Sequence, residues 1–203
     1  MGKRDYTTGG NGTDPTMKNA STKTMGIILP IVLFCLLSCA STQQEKTESR
    51  DAEFYNNRGM AYDKEGQYDQ AILDYNKALN INPRYAEAYN NRGVIYRKKG
   101  QLDRAISDYN KALKINPRDA EAYNNRGVVY LWKGEFDRAI SDYNKALEIN
   151  PRFAESYYGR GVCYYSQKQY DKSWEDVNKA QGLGLTIPPE FLNGLIKASG
   201  RGK

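Results

Sequence analysis

The sequence predicts an all-α fold, a solenoid of four stacked helix-turn-helix repeats with a capping helix at its C-terminal end. Three observations predict it. A 34-residue segment recurs without interruption from Ala52 onward. Small and aromatic residues recur in each segment at helical spacing, and Gly and Asn-Pro fall where the helices would end. Because one such unit cannot bury its packing stripe alone, the copies must stack.

The repeats are 52–85, 86–119, 120–153 and 154–187. The second and third copies are identical at 27 of their 34 positions, since only seven pairs of residues differ between them. Every copy has Tyr at position 4, Gly at position 8, Tyr at position 11 and Ala at position 27. The first three copies add Gly at 15, Ala at 20, Tyr at 24 and Pro at 32. These shared residues define a common scaffold.

Two helices, A and B, are predicted within each repeat. In the second repeat, Tyr89, Gly93 and Tyr96 share one face of helix A, and Ala105 and Tyr109 begin the matching face of helix B. Gly93 and Ala105 are small, so the two helices can approach closely. A left-handed residue, Gly100, would end helix A, and Asn116-Pro117 would end helix B.

The fourth repeat departs from the pattern, as expected of the terminal unit of a solenoid. Lys168 replaces the loop Gly, Ser173 replaces Ala, and Val177 replaces Tyr. Residues 188–203 follow it as a predicted capping helix and tail. Pro lies near the start of this helix, and one face carries Phe191, Leu192, Leu195 and Ile196.

The recurring residues, at this spacing and period, resemble the tetratricopeptide repeat (TPR). The resemblance covers 52–187 and implies a right-handed superhelix whose concave groove is lined by helix A, at positions such as 2, 5, 6, 9, 12 and 13. It also implies a protein that binds segments of other proteins. Relatives that bind chaperone tails need paired Lys and Arg where this chain has Asn56, Met60 and Glu121, so we do not expect that activity.

Position 6 of the first three repeats holds an Asn: Asn57, Asn91 and Asn125. Three stacked amides could pair with the C=O and N–H groups of an extended peptide. The arrangement resembles the asparagine ladder of some TPR superhelices. The alternative is that duplication copied a solvent-facing Asn.

Positions 12 and 13 vary most in character between the repeats, from Asp63-Lys64 and Arg97-Lys98 to Leu131-Trp132 and Tyr165-Ser166. The predicted peptide-binding surface therefore has a basic patch, Arg97 and Lys98, followed by an apolar patch, which comprises Val128, Leu131, Trp132, Tyr158, Val162 and Tyr165. We expect a ligand with an acidic part and an apolar or aromatic part. The alternative for Trp132 is packing against a neighbouring helix.

Each repeat also pairs an Arg at position 7 with an Asp at position 23. The predicted ion pairs between helices A and B are Arg58–Asp74, Arg92–Asp108, Arg126–Asp142 and Arg160–Asp176. Their expected role is register and orientation more than stability.

The N-terminal segment predicts where in the cell the protein is located. Residues 1–38 are predicted to be a short extension and a signal peptide, because a weakly basic start is followed by an apolar run that begins at Met25 and continues to Ala40, which is short for a membrane span. Its end, Leu36 to Cys39, resembles the lipobox of bacterial lipoproteins. That resemblance implies lipidation at Cys39, a flexible tether over 39–51, and, because Ala40 follows, the periplasmic face of the outer membrane.

Composition narrows the function. The chain has no His, which excludes Ser-His and Cys-His nucleophiles and His-bearing zinc sites, and we expect no cofactor and no metal. Its net charge of +6 is spread among interspersed acidic and basic residues, so nucleic-acid binding is not expected. The prediction is a non-catalytic adaptor for other envelope proteins. The alternatives are a self-assembling structural module, hence a homo-oligomer, and, less favoured, an enzyme.

Overall fold

A computed structural model describes residues 50–201, together with residues 2 and 47. The predicted lipidation site Cys39 and the apolar run before it lie outside the described residues. Within 50–201 the secondary structure is entirely helical, which confirms the predicted all-α class. The helices are α1 (residues 50–64), α2 (Tyr68–Ile81), α3 (Ala86–Lys98), α4 (Leu102–Ile115), α5 (Ala120–Trp132), α6 (Phe136–Ile149), α7 (Ala154–Ser166), α8 (Tyr170–Gly182) and α9 (Pro189–Ser199).

The helices pack as successive hairpins. The two helices of a repeat contact each other most extensively, as in α3 with α4 and α5 with α6. The second helix of each repeat then packs against the first helix of the next, and the first helices α3, α5 and α7 also contact one another in sequence. This order places the A helices in a row along one side of the stack.

A glycine brings the two helices of each hairpin together. A Cβ atom on Gly93 would lie 2.7 Å from Cε1 of Tyr109, and one on Gly59 would lie 2.7 Å from Cε1 of Tyr75. Real Cβ atoms do not approach a ring this closely, so the buried tyrosine fits only beside glycine. The predicted close approach at Gly93 is confirmed.

The core lies mostly between repeats. Ile95 of the second repeat packs with Ala71 and Tyr75 of the first, and Val129 packs in the same way with Ala105 and Tyr109. Cys163 takes this position in the fourth repeat and is fully buried, and its burial raises the pKa of the thiol to about 12. It is a core residue, and its protonated thiol is unreactive at neutral pH.

The turns follow the predicted chemistry. Gly100 ends α3 with a φ of 72°, the left-handed conformation that glycine tolerates best. Lys168, at the same place in the fourth repeat, has a φ of 61°, so the turn keeps its geometry without the glycine. Asn116 ends α4, and its side-chain oxygen accepts a hydrogen bond of 3.2 Å from the backbone N–H of Arg118.

The last helix, α9, covers the fourth repeat. Leu195 is fully buried in a cluster with Val177 and Ala180, and Phe191 packs against the same cluster. Ile196, which the sequence places on this packed face, is instead 37% exposed, because it lies at the margin of the contact.

Candidate functional site

Each Arg at position 7 holds the Asp at position 23 through two parallel hydrogen bonds. In the third repeat, Nε and Nη2 of Arg126 donate to the two carboxylate oxygens of Asp142 at 2.8 and 2.7 Å. The other three pairs have the same geometry, Arg58 with Asp74, Arg92 with Asp108 and Arg160 with Asp176. The planar guanidinium and the carboxylate form a bidentate pair, which fixes how the two helices align.

A further contact of the same arginines joins neighbouring repeats. Nη1 of Arg126 donates to Oδ1 of Asn110, in the preceding repeat, at 2.5 Å, and Arg160 donates to Asn144 at the same distance. Arg92 donates to Asn76 in the same way. Sequence reasoning missed these contacts, although an Asn at position 25 of every repeat was a visible signal. The ion pairs therefore form part of a lattice that crosses repeat boundaries.

The asparagines at position 6 form a ladder of a different kind from the predicted one. The amide nitrogen of Asn91 donates to Oδ1 of Asn56 at 3.1 Å, and that of Asn125 donates to Oδ1 of Asn90 at 3.2 Å. These bonds link position 6 of one repeat to position 5 of the preceding one. One N–H of each amide is therefore already used in a hydrogen bond between repeats. Asn57 is exposed. Pairing of the remaining amide groups with a peptide stays a prediction.

A small cavity shows where the concave face has depth. It has a volume of about 110 Å³ and is lined by Met60, Asp63, Lys64, Tyr75, Asn91 and Val94. These residues occupy positions 9, 12, 13 and 24 of the first repeat and positions 6 and 9 of the second. A shift by one 34-residue period brings Arg97 to the position of Asp63 and Tyr109 to that of Tyr75. The groove thus repeats one arrangement with different side chains.

Trp132 and Arg97 form the most distinctive part of this surface. The Trp132 side chain is 57% exposed, so it is not packed into a neighbouring helix. The guanidinium carbon of Arg97 lies 5.3 Å from the centre of the indole ring, within range of a cation–π interaction. Near-identical repeats thus contribute a cation from one and an aromatic anchor from the next.

The predicted basic patch is smaller than the sequence suggests. Lys98 forms an ion pair of 2.6 Å with Asp63 of the preceding repeat, so its charge is already balanced. Within the described residues, Arg97 forms no ion pair with a carboxylate, and its buried Nε has no hydrogen-bond partner. The patch therefore reduces to Arg97.

The predicted apolar patch also needs correction. The rings of Tyr158 and Tyr165 meet the ring of Phe191 edge-on at 5.5 and 5.3 Å, so these two residues belong to the contact with α9. Val128 and Leu131 are partly buried against the core cluster of Tyr143 and Cys163, and Val162 is partly buried. Trp132 is the exposed member of the predicted set, whereas the other five are partly buried.

In the described part of the chain, no cluster of three or more His, Cys, Asp or Glu could hold a metal ion. Across 50–201, no helix has both the length and the apolar character needed to cross a membrane. The arrangement offers hydrogen-bond donors, the guanidinium of Arg97 and an exposed indole, which are groups suited to binding.

Comparison with known proteins identifies the repeats. Tetratricopeptide repeat families match residues 52–85 and 120–153, residues 74–107 and 142–175, and, as a TPR repeat, residues 93–134. Together the matches run from residue 52 to residue 175 without a gap. No curated protein matches the sequence.

Solved structures agree with this assignment. MamA is 28% identical, with a TM-score of 0.62 over 68% of this chain and 81% of that chain. The first TPR of Spaghetti (RPAP3), bound to the HSP90 peptide SRMEEVD, is also 28% identical, with a TM-score of 0.58 over 59% of this chain and 94% of that one. Pseudomonas aeruginosa pilF, at 21% identity, shares the fold, with a TM-score of 0.68 over 76% and 70%. The chain therefore belongs to the tetratricopeptide repeat family, whose repeats form protein-interaction scaffolds.

Proposed function

We propose that this chain is a non-catalytic adaptor that binds extended segments of other envelope proteins in the groove along α3, α5 and α7, while a lipid on Cys39 holds it at the bacterial envelope. The observation that carries the binding proposal is Trp132, an indole 57% exposed on the groove and stacked on Arg97. Exposed aromatic and Arg side chains are common anchors of protein interfaces.

The pattern of differences between the second and third repeats supports binding at this place. Their scaffold residues are the same, whereas positions 12 and 13 change from Arg97-Lys98 to Leu131-Trp132. Stability alone gives no reason for an exposed Trp at a position where the neighbouring repeat has Lys. A relative of 28% identity whose structure holds a bound peptide makes an extended peptide the natural ligand to test.

Peptide selection tests the binding proposal. A library of linear peptides would be selected on the full chain, and binding of the enriched peptides would be measured by calorimetry. We expect Trp132→Ala to weaken binding by about tenfold or more, because the anchor is lost. Leu73→Ala is the matched control, since Leu73 is 52% exposed but lies on the second helix of its hairpin.

Thermal unfolding of both variants completes this test. Both should unfold as the wild-type chain does, because exposed side chains contribute little to stability. Equal binding by the wild-type chain and Trp132→Ala, or enrichment of no peptide at all, would contradict the proposal.

The anchor is tested independently of the groove. The lipobox resemblance at Leu36 to Cys39 supports it, and the proposed location is the periplasmic face of the outer membrane. In a bacterial host grown with a labelled fatty acid, the wild-type chain and Cys35→Ser should be labelled and should fractionate with the outer membrane. Cys39→Ser should lose both properties, since acyl chains supply the membrane affinity. Labelling of Cys39→Ser would contradict lipidation at this residue.

One observation favours a second candidate, self-assembly. Position 3 holds Ala88, Ala122 and Ser156 in the later repeats, all fully buried, whereas Phe54 at this position is 56% exposed. Light scattering of the wild-type chain and of Phe54→Ala would test it. An oligomer that forms with rising concentration in the wild-type chain and is lost in Phe54→Ala would favour the structural module. A wild-type chain that stays monomeric at all concentrations would favour the adaptor.

A further inference from the structure

Helix α1 carries an open stripe at helical spacing, formed by Phe54, Arg58 and Ala61. Its outer members occupy positions 3 and 10 of the repeat, where Phe54 is 56% exposed and Ala61 is also exposed. In the later repeats, these two positions are fully buried beside the repeat before: Ala88, Ala122 and Ser156 at position 3, and Ile95, Val129 and Cys163 at position 10. A surface that packs three times inside the stack is therefore uncovered at its start, as far as the described residues show.

Inside the stack, the partner of this stripe is an antiparallel helix. Ala88, near the start of α3, packs with Leu79, near the end of α2. Ile95, near the end of α3, packs with Ala71, near the start of α2. The equivalent stripe of α1 is therefore shaped to receive a second helix that runs in the opposite direction.

The C-terminal end of another copy does not supply that helix. Helix α9 covers the last repeat, and Arg201 already pairs with Asp171 there. At position 14 the second and third repeats have Lys99 and Lys133, each paired with the Asp at position 18 of the repeat before, whereas the first repeat has Glu65. Glu65 would meet such an Asp as a like charge, so copies cannot join end to end by the junction used inside the stack.

The open stripe is complementary to itself in shape. A two-fold axis places the same surface on both sides of a contact, so a residue of the stripe must meet another residue of the same stripe. An axis midway between Phe54 and Ala61 places each phenylalanine ring opposite the small Ala61 of the second copy in an antiparallel pair. A ring beside a small residue is also how the helices of a hairpin approach, as with Tyr109 on Gly93.

The polar residues around the stripe are complementary about the same axis. Nε and Nη2 of Arg58 donate to Asp74, whereas Nη1, which in the later repeats donates to an Asn of the repeat before, has no acceptor among the described residues. Across the axis, it faces the amide oxygen of the exposed Asn57. The exposed Asp51 and Lys64 also face each other at both ends of the pair, where opposite charges fix direction more than strength.

We propose that α1 is the contact surface for a second copy of this chain, in a closed antiparallel pair about the axis between Phe54 and Ala61. The inference rests on the second candidate function, self-assembly, and specifies it as a dimer. A two-fold contact uses the same surface on both copies and leaves none of that surface for a third. The pair leaves the grooves along α3, α5 and α7 uncovered and so offers two of them at once.

Thiol cross-linking in cells tests the register of the pair. Asp51→Cys and Lys64→Cys would be expressed separately and together in a bacterial host treated with a short, membrane-permeant thiol cross-linker, and links would be identified by mass spectrometry. We expect a link between positions 51 and 64 of different copies when both variants are present. In each variant alone, the two introduced thiols would lie about 20 Å apart along the seam and should not link. Leu73→Cys with Lys64→Cys is the matched control, since Leu73 is 52% exposed on α2, and it should give no link.

Exchange of the two central residues tests the contact itself. In the same pair of cysteine variants, Phe54→Ala should reduce the yield of the link by about tenfold or more, because both rings are lost. Ala61→Phe should also reduce it, since ring then meets ring where only a small residue fits. Phe54→Ala combined with Ala61→Phe rebuilds the contact of ring with alanine across the axis and should restore the link. Restoration is a readout that a merely destabilised fold would not give.

The outcomes separate this inference from the proposed functions. Absence of the link when both cysteine variants are present, or a link that survives Phe54→Ala, would overturn the pair. Wild-type assemblies larger than two in light scattering would overturn the closed pair and leave self-assembly standing. A wild-type chain that stays monomeric would contradict both. The adaptor is decided separately by peptide binding to Trp132→Ala, since Trp132 lies on α5 and outside the stripe.

Discussion

The first and second repeats have closely similar sequences and different surroundings. In both, an Arg at position 7 donates two hydrogen bonds to the carboxylate of the Asp at position 23. The side chain of Arg92 is 14% exposed, because it also reaches Asn76 in the repeat before it. The side chain of Arg58 is 39% exposed and lies over the ring of Phe54, in addition to the position-4 tyrosine that both arginines contact. The Arg of the pair is thus buried in one repeat and partly solvated in the other, whereas the Asp is buried in both.

Position 3 shows the same contrast. Ala88 is fully buried against Ala78 and Leu79 of the preceding repeat, whereas Phe54 is 56% exposed. Contacts made inside a repeat are alike in both copies, such as that of the glycine at position 8 with its tyrosine. Contacts made with a preceding repeat are what differ. Energetically, then, a residue of a solenoid is defined by its position in the stack as well as by its position in the repeat.

The largest expected effect separates the two ion pairs. Asp108→Ala leaves Arg92 buried without its carboxylate, and we expect a loss of about 3 kcal/mol or more in the free energy of unfolding. Asp74→Ala should cause a clearly smaller loss, because the exposed Arg58 is hydrated when its partner is removed. Urea unfolding of the full chain, followed by circular dichroism, measures both. Equal losses would mean that burial by the preceding repeat does not govern these pairs.

In contrast to the ion pairs, the glycines at position 8 should contribute equally to stability in the first and second repeats. Gly59→Ala and Gly93→Ala each place a Cβ 2.7 Å from a tyrosine of their own repeat, so each should lower the free energy of unfolding by about 1 to 3 kcal/mol. Gly182→Ala is the control, since a Cβ there meets nothing within 4 Å, and it should be neutral or slightly stabilising. A much smaller loss for Gly59→Ala would show that the first hairpin repacks more freely than the second.

Features that recur within one repeat could be predicted from the sequence. The helix pairs, the glycine at the helix crossing, the left-handed Gly100 and the buried thiol of Cys163 all follow from residue type and spacing. Each depends on chemistry inside one 34-residue unit or on a position shared by all units. The period states these positions directly.

Features that depend on how repeats are offset could not be predicted. Lys98 contacts Asp63, and Asn91 contacts Asn56. Both partners lie 35 residues earlier in the chain, one residue more than the repeat period, so the period alone does not predict these pairs. Tyr158 and Tyr165 are covered because α9 follows the fourth repeat, where an equivalent residue of an interior repeat would line the groove. Rotation between neighbouring units and the identity of the last unit decided these contacts.

The asparagine ladder gives a smaller contrast. Asn91→Ala removes the donor that serves Oδ1 of the fully buried Asn56, so we expect a loss of about 1 kcal/mol in the free energy of unfolding. Asn57→Ala, at the same position of the first repeat, is exposed and should change it by less than about 0.5 kcal/mol. The urea midpoints of the two variants check the difference. Equal midpoints would indicate that the ladder contributes nothing to the stack.

The smallest expected effect concerns the cross-repeat ion pair in the groove. Lys98→Met removes the partner of Asp63 and should lower the free energy of unfolding by at most about 1 kcal/mol, since Lys98 is 34% exposed and the pair is screened by water. Lys64, at the same position of the first repeat, forms no cross-repeat ion pair among the described residues, so Lys64→Met should be neutral.

Salt distinguishes an ion pair from mere packing in this comparison. The difference between Lys98→Met and Lys64→Met should shrink as ionic strength rises to about 1 M, where the Debye length falls to about 3 Å. A difference that persists at high salt would assign it to the contact of the Lys98 ammonium with Tyr68, whose ring centre lies 5.6 Å away. In that case Asp63 would be electrostatically free, and the groove would present opposite unpaired charges at position 12 of its first two repeats.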